Sequence, residues 1–413
     1  MALIVQKYGG TSVADPDRIR RVAARVARER RGGDSVVVVV SAMGDSTDDL
    51  LELAKQVTAD ARRRHPREFD MLLTAGERIS MALLAMAIRD LGVEALSLTG
   101  SQAAIITDET HTGARIAEIR ATRVREELAN GCVVIVAGFQ GVSRTREITT
   151  LGRGGSDTTA VALAAALGAD RCDIFTDVDG VLTADPRRVP AARPVKEIDY
   201  NEMVELASAG AQVMHPRAVE IGAKFSVPIR VLSSFRPDDG TRGTLITRRR
   251  ETMENLVVTG LASEEGYARL TLRGLPPTTE TVGRVAAELG GAGISLDMLV
   301  LADRADGRRQ IQLTVTEDVL HEALPICERI AAALDGEPVE VQRGLSRVAL
   351  VGSGMQGLPG VYGRAFETLV RGGIEVHAVS TSAISITVLV DTANEERSLQ
   401  LLHTAFDLDA ETE

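Results

Sequence analysis

Five consecutive valines, Val36 to Val40, constrain this chain more than any other stretch. A β-branched run reads as a strand. With no polar residue on either alternating face, that strand must be buried on both sides, as strands of a helix-covered parallel sheet are. The surrounding sequence fits such a sheet. Residues 3–6 form a short apolar strand. Asp15-Pro16 opens a helix, with proline where its missing N–H costs nothing, and Ile19, Val22, Ala23 and Val26 line one face of it. Helical stretches are expected at 48–64 and 68–91, strands near 93–98 and 132–138 with a helix near 114–129 between them, a strand at Asp173–Thr176, a helix over 201–222 and a strand at Ile229–Ser233. Alternating strands and helices predict an α/β fold of three layers. Ligands in such folds bind outside the carboxyl ends of the strands. The polar clusters lie at those ends: Lys7, Ser41, Gly138 and Thr176-Asp177.

A second constraint is the stretch Thr149–Ala169. It places Gly152, Gly154 and Gly155 ahead of a helix expected at Thr158–Leu167, with Ser156 or Asp157 as its cap. A helix N-terminus suits an anion. Arg153, inside the loop, can fork onto a carboxylate or phosphate, and Asp157 can organise cations. Lys7 stands at another strand–glycine junction, Lys7-Tyr8-Gly9-Gly10-Thr11-Ser12, and only Lys7, Lys55, Lys196 and Lys224 are lysines among the 47 basic residues. Glycine loops, one lysine, one arginine and one aspartate suit phosphoryl transfer, which asks a protein mainly for positioning and charge stabilisation.

Several other classes are excluded. There is no GxxxxGK[ST] loop, no GxGxxG followed by a suitable acid and no Gly-x-Ser-x-Gly elbow. The six histidines lack metal-ligand spacing, and no residue set reads as a metal site. Cys132, Cys172 and Cys327 are scattered, as in a reduced cytoplasmic protein. A net charge of −11 argues against nucleic acid as the main partner. The N-terminal strand has no signal-peptide pattern, and no membrane association is expected.

A composition change at 236–255 marks a domain boundary, with Pro237-Asp238-Asp239-Gly240 turn-like and Arg248-Arg249-Arg250-Glu251 a solvated charge cluster. Beyond it lies an internal repeat. Gly283-Arg284 is echoed by Gly363-Arg364, Leu289 by Leu369 and Gly293-Ile294 by Gly373-Ile374, each 80 residues on. This predicts two small α+β modules of one type.

Lys7-Tyr8-Gly9-Gly10-Thr11-Ser12-Val13, Gly76-Glu77-Arg78-Ile79-Ser80, Leu151-Gly152-Arg153-Gly154-Gly155-Ser156-Asp157 and Thr176-Asp177-Val178-Asp179-Gly180 occur in this order. Together they resemble aspartate kinase of the amino-acid kinase superfamily, most of all the actinobacterial lysine/threonine-regulated type. The resemblance implies a mostly parallel kinase domain at 1–247, a linker and first ACT strand at 248–262, and ACT (ferredoxin-like) domains at 263–342 and 343–413. It implies ATP with Mg²⁺ and L-aspartate as substrates and 4-phospho-L-aspartate as product. Lys7 would stabilise the transferred phosphoryl group and Asp157 would organise the site around it. Arg153 would clamp a carboxylate of aspartate and Glu77 would take its ammonium, with Ser41, Thr47 and Ser156 lining the substrate end. Gly9, Gly10, Thr11, Ser12, Thr176, Asp177, Leu182, Arg187 and Gln212 would meet the nucleotide. A homodimer through ACT sheet edges is expected, with a shorter ACT-only chain starting near Met253.

The chain also departs from the family. Leu182 stands at a usual tyrosine and Gln212 at a usual phosphate-facing lysine, for which Arg217 or Lys224 could substitute. In the ACT modules Pro277, Glu280, Leu301, Glu375 and Ala383 replace residues that would hold amino-acid effectors. The expectation is therefore an aspartate kinase with weakened or lost feedback. A kinase for an aspartate analogue and a non-catalytic regulatory homologue stand as alternatives.

Overall fold

The computed structural model describes residues 1–236, 242–248, 258–353, 355 and 360–410. Met253 and the turn at 237–240 therefore lie outside the described residues. The chain divides into two compact units, one of Met1–Thr183 with Arg193–Glu254, the other of Ala184–Ala192 with Asn255–Glu413.

In chain order the first unit contains β1 (Leu3–Tyr8), α1 (Pro16–Arg31), β2 (Ser35–Val40), α2 (Ser46–Val57), α3 (Ala61–Arg64), α4 (Pro66–Asp90), β3 (Ala95–Leu98), β4 (Ile105–Thr107), β5 (Ile116–Ile119), α5 (Thr122–Ala129), β6 (Val133–Ala137), β7 (Gln140–Ser143), β8 (Ile148–Thr150), α6 (Gly155–Leu167), β9 (Arg171–Thr176), β10 (Glu197–Asp199), α7 (Tyr200–Ser208), α8 (Pro216–Phe225), β11 (Ile229–Ser233) and β12 (Thr244–Thr247). The main sheet runs β10-β12-β11-β9-β1-β2-β6-β3. From β11 to β3 every pair is parallel, and β12 turns antiparallel against β11. All five valines of β2 are fully buried, as a strand covered on both faces requires. Lys7 is level with Val39 on one side and Ile174 on the other, near the carboxyl end of the central strand. Beside it Tyr8 stacks on Phe175, ring centroids 4.7 Å apart.

Helix α4 is long and apolar enough to cross a membrane by length and composition alone. Here Leu73, Leu84 and Ile88 are buried within the unit, as are its Asp70 and Glu77.

Three expectations are corrected. The helix near 114–129 shrinks to α5, because left-handed residues at Thr112 and Ala121 bound the strand β5 between them. That strand joins β4, β7 and β8 in a second sheet, β5-β4-β7-β8, which periodicity alone does not reveal in such short segments. The stretch 48–64 breaks where Thr58 is extended and Asp60 turns left-handed to cap α3. The stretch 201–222 breaks where Gly210 takes φ +116° and Pro216 starts a new helix. Gln212 consequently sits in a connection, not on a helix.

The second unit holds β13 (Gly260–Leu275), α9 (Thr279–Gly291), β14 (Leu299–Asp303), β15 (Arg309–Thr316), α10 (Leu320–Ala333), β16 (Glu340–Val351), α11 (Val361–Arg371), β17 (Ala378–Thr381), β18 (Ser385–Asp391) and α12 (Glu395–Ala405). One antiparallel sheet, β14-β15-β13-β16-β18-β17, serves both α+β modules. Strand β13 spans them. Its Leu261 packs with Val348, Leu369, Val388 and Leu402, whereas its Leu270 and Leu272 pack with Leu289, Leu313 and Ile330. The nine residues Ala184–Ala192 belong here too: Ala184 and Val189 enter the first of those cores. Arg188 pairs with Glu395, 1 % exposed, at 2.6 Å and with Glu265 at 2.6 Å.

The sequence repeat has a local cause. After α9 and after α11 the chain reverses in the same way: Gly293 and Gly373 take φ +77° and +70°, and the amides of Ile294 and Ile374 donate to the carbonyls of Leu289 and Leu369 at 3.0 Å. Both are glycine-terminated helix ends of Schellman type. A Cβ at either glycine would meet no atom, so strain in φ is the main cost of adding one. Gly293→Ala and Gly373→Ala are each expected to destabilise the second unit by about 1 kcal/mol, left-handed strain of ~1–2 kcal/mol outweighing the smaller entropic gain of alanine. Denaturant unfolding of each variant checks this, and a rise in stability would contradict it.

Candidate active site

The site is built at the carboxyl ends of β9, β1, β2 and β6. After β1 the chain makes a tight turn: the amide of Gly9 donates to the Phe175 carbonyl and that of Ser12 to the Gly9 carbonyl at 2.9 Å. Gly10 lies against the loop after β2, where a Cβ would come 3.0 Å from the Ala42 carbonyl. The Ser12 hydroxyl bonds that of Ser234 beyond β11. Gly9 to Ser12, including exposed Thr11, thus form one rim of the site.

Opposite stands the glycine loop. Gly152 and Gly154 take φ +76° and +65°, and Gly154 itself is the N-cap of α6, with no capping side chain. The expectation that Ser156 or Asp157 caps this helix is overturned, because both lie inside its first turn. Asp157 is thereby free to meet Lys7: Nζ and Oδ1 are 2.6 Å apart, with the side chains 13 % and 10 % exposed. Ser156 is buried against Gly138, where a Cβ would sit 2.6 Å from its hydroxyl. Arg153 is exposed, and no bond engages its guanidinium among the described residues.

Glu77 reaches the loop after β2 from α4. Its Oε1 accepts from the Ala42 amide at 3.3 Å, and its Oε2 is buried without a partner among the described residues. Gly76 permits the approach, since a Cβ there would come 2.7 Å from that of Ala42. Burial pushes the Glu77 carboxyl up to about 7, against the lowering effect of its backbone bonds. The uncharged form therefore favours folding below the ordinary value of 4.5, and this contribution is lost as pH rises through about 7. Ser41, whose amide donates to the Tyr8 carbonyl, adjoins Ala42, and Thr47 lies in the first turn of α2.

At the end of β9, the Thr176 hydroxyl donates to the Asp177 carboxylate at 3.1 Å. Leu182 is half-buried and bridges to Pro194. Arg187 falls in the segment that clusters with the second unit, where its guanidinium meets Asp185 at 2.7 Å. Gln212 is exposed between α7 and α8. Arg217 is already committed: it donates to the Leu151 and Ala114 carbonyls at 2.8 and 3.0 Å, so it does not stand in for a lysine at Gln212. Lys224 lies in the last turn of α8, its ammonium over Phe225.

Sequence reading missed Asp70. It is fully buried, and its carboxylate accepts from the Thr150 hydroxyl at 2.6 Å, the Thr112 amide at 3.1 Å and His111 Nδ1 at 2.8 Å. Its spacing of seven residues before Glu77 places both acids on one face of α4, the one available signal.

A lysine paired with a carboxylate in the first turn of a helix can bind an anion, and the unpartnered buried oxygen of Glu77 can accept from an ammonium group. No cluster of His, Cys, Asp and Glu able to hold a metal ion occurs among the described residues.

Residues 2–233 match the model of the amino acid kinase family and residues 348–406 that of an ACT domain. An aspartokinase of Geobacillus stearothermophilus is 47 % identical, covering 99 % of this chain and 98 % of that one. One from Mycolicibacterium smegmatis is 45 % identical, covering 100 % and 98 %. The crystal structure of E. coli aspartokinase III with aspartate and ADP superposes with a TM-score of 0.81 at 28 % identity, covering 98 % of this chain and 99 % of that one. By its identity to these enzymes over nearly its whole length and by its kinase and ACT domains, this chain belongs to the aspartokinase family.

Proposed function

We propose that the chain transfers the γ-phosphoryl group of MgATP to the side-chain carboxylate of L-aspartate, giving 4-phospho-L-aspartate and ADP. A carboxylate oxygen attacks the γ-phosphorus, the bond to the β,γ-bridging oxygen breaks, and no proton need move. The observation that carries the reading is the Lys7–Asp157 pair at 2.6 Å: a lysine held in place by a buried carboxylate where transferred charge would develop. Arg153 offers a fork for an aspartate carboxylate, and the unpartnered oxygen of Glu77 an acceptor for its ammonium. Ser41, Thr47 and Ser156 line the substrate end. Gly9, Gly10, Thr11, Ser12, Thr176, Asp177, Leu182 and Gln212 face the nucleotide. Mg²⁺ enters as the counter-ion of ATP. The protein works in the cytoplasm as a homodimer through its ACT sheet, whose outer strands β14 and β17 leave Leu299, Val300, Leu301 and Val379 exposed. An ACT-only chain starting near Met253 accompanies it.

Feedback is weakened. Pro277 precedes Thr278, whose side chain accepts from the Thr281 amide to cap α9. Proline offers neither a backbone N–H nor an acceptor side chain there. Leu301 is an exposed apolar residue on β14, with no group to hold a zwitterion.

Coupled ADP release with and without L-aspartate tests the activity. Lys7→Ala and Asp157→Ala are each expected to lower turnover by ~10²-fold or more in protein that still folds but is less stable, because each leaves its buried partner unpaired. Turnover within threefold of wild type would remove these residues from the mechanism.

Glu77 must be ionised to take an ammonium, and burial pushes its carboxyl up to about 7. The KM for aspartate should therefore rise as pH falls below that value, approaching about tenfold per pH unit. Glu77→Gln should raise KM and flatten this dependence. A flat wild-type KM between pH 6 and 8 would argue against the ammonium role.

Lysine and threonine, alone or together at millimolar concentration, are expected to inhibit weakly or not at all. Strong concerted inhibition would show that the substituted ACT positions still bind effectors.

A further inference from the structure

We propose that Arg217 is a positioning residue for aspartate phosphorylation: from α8 it holds the glycine loop that carries Arg153 and Asp157, against Asp70, which holds the approach to the same loop from α4. The kinetic part rests on the function proposed above, whereas the structural part does not.

The loop has few anchors of its own. It leaves β8 at Thr150, passes Leu151 and reaches α6 through Gly152 and Gly154, both left-handed. Glycines so placed free the backbone to adopt the required path but do nothing to hold it there. The Leu151 amide is anchored to the Phe139 carbonyl at 2.9 Å, and the two ends of Arg217's guanidinium fork add a hold from the other side. One donates to the Leu151 carbonyl at 2.8 Å, the last carbonyl before the glycines, and the other to the Ala114 carbonyl at 3.0 Å. Ala114 is itself tied to the same strand end, its amide donating to the Thr150 carbonyl at 2.9 Å. A single side chain thus clasps both chain segments of this junction, a geometry that a planar five-donor group satisfies and an ammonium does not.

The start of α8 is built to deliver that side chain. Pro216 opens the helix, and His215 Nδ1 accepts from the Arg217 amide. The same turn abuts the loop directly, since a Cβ on Gly154 would lie 2.2 Å from the Cβ of His215. On the opposite side, the buried Asp70 accepts from Thr150 and from the Thr112 amide, two residues from Ala114. An anion on α4 and a cation on α8 therefore fix one junction, and α4 also carries Glu77. Two residues past Leu151 stands Arg153, and six past it Asp157, paired with Lys7.

Misplacing a reacting group by about 1 Å can cost ~10²-fold in rate. Arg217→Ala should accordingly raise the KM for aspartate and lower kcat, each by about tenfold or more, with the KM for ATP within twofold of wild type. Arg217→Lys, able to reach one carbonyl at a time, should fall between. Added guanidinium should restore part of the lost turnover in Arg217→Ala and none in wild type.

A second readout needs no substrate. Amide hydrogen exchange over 149–158 should accelerate in Arg217→Ala, slow again with guanidinium, and stay unchanged in the ACT unit. If both variants exchange like wild type in this stretch, or if the two KM values rise together without rescue, the positioning role is wrong. If Arg217→Ala fails to fold, Arg217→Lys decides by the same two readouts. If wild type does not phosphorylate aspartate but loop exchange responds as stated, the clasp stands and the proposed reaction falls.

Discussion

The Lys7–Asp157 ion pair is the interaction on which the rest of the kinase unit depends. Both side chains are largely withdrawn from water, and a buried charge is costly unless its partner is close. At 2.6 Å each neutralises the other, and removing either would strand the one that remains. The pair also fixes geometry. Lys7 rises near the end of the central strand of a parallel sheet, and Asp157 sits in the first turn of a helix whose Thr158–Leu163 stretch is almost wholly buried. Strand and helix are thus registered at one point. The glycine loop exists to let the helix begin there, because a glycine N-cap leaves the carboxylate of Asp157 free for the lysine.

Around this point the elements divide the work. Helix α4 brings Glu77 to the loop after β2, and the absent side chain of Gly76 lets it come close. Asp70 on the same helix and Arg217 on α8 secure the glycine loop from two directions. Leu182 belongs to the first unit, and Ala184, two residues on, is buried in the core of the second. The nine-residue excursion is held there by Arg188 against the buried Glu395. The segment Ala184–Ala192 is therefore held by the packing of the second unit, to which it belongs.

Much of this was legible in the sequence, and what was not has physical reasons. The valine run gave a strand buried on both faces because β-branched residues without polar alternation have no other soluble use. Lys7, Gly154 and Asp157 could be placed at strand and helix ends because glycine and proline punctuate the chain. The repeat was visible because Gly293 and Gly373 end equivalent helices. The sheet of β4, β5, β7 and β8 was missed because strands of three or four residues carry too little periodicity to compete with a helical reading. The cap at Ser156 or Asp157 was misplaced because the sequence shows which residues can cap, not where a glycine N-cap makes that unnecessary. Asp70 escaped, and Arg217 was read only as a substitute for the lysine at Gln212, because their partners are mainly backbone groups and hydroxyls far along the chain. No local pattern encodes such bonds.

The central claim is that a side-chain carboxylate oxygen of L-aspartate becomes bonded to the γ-phosphorus of ATP in this site. It is tested most directly by phosphorus NMR of the protein turning over MgATP with L-aspartate labelled with ¹⁸O in the side-chain carboxylate only. The account predicts an aspartate-dependent acyl phosphate resonance carrying the isotope shift of a bonded ¹⁸O, absent when the label is in the α-carboxylate. Release of ADP with inorganic phosphate as the sole product, or an isotope shift arising from the α-carboxylate label, would contradict it.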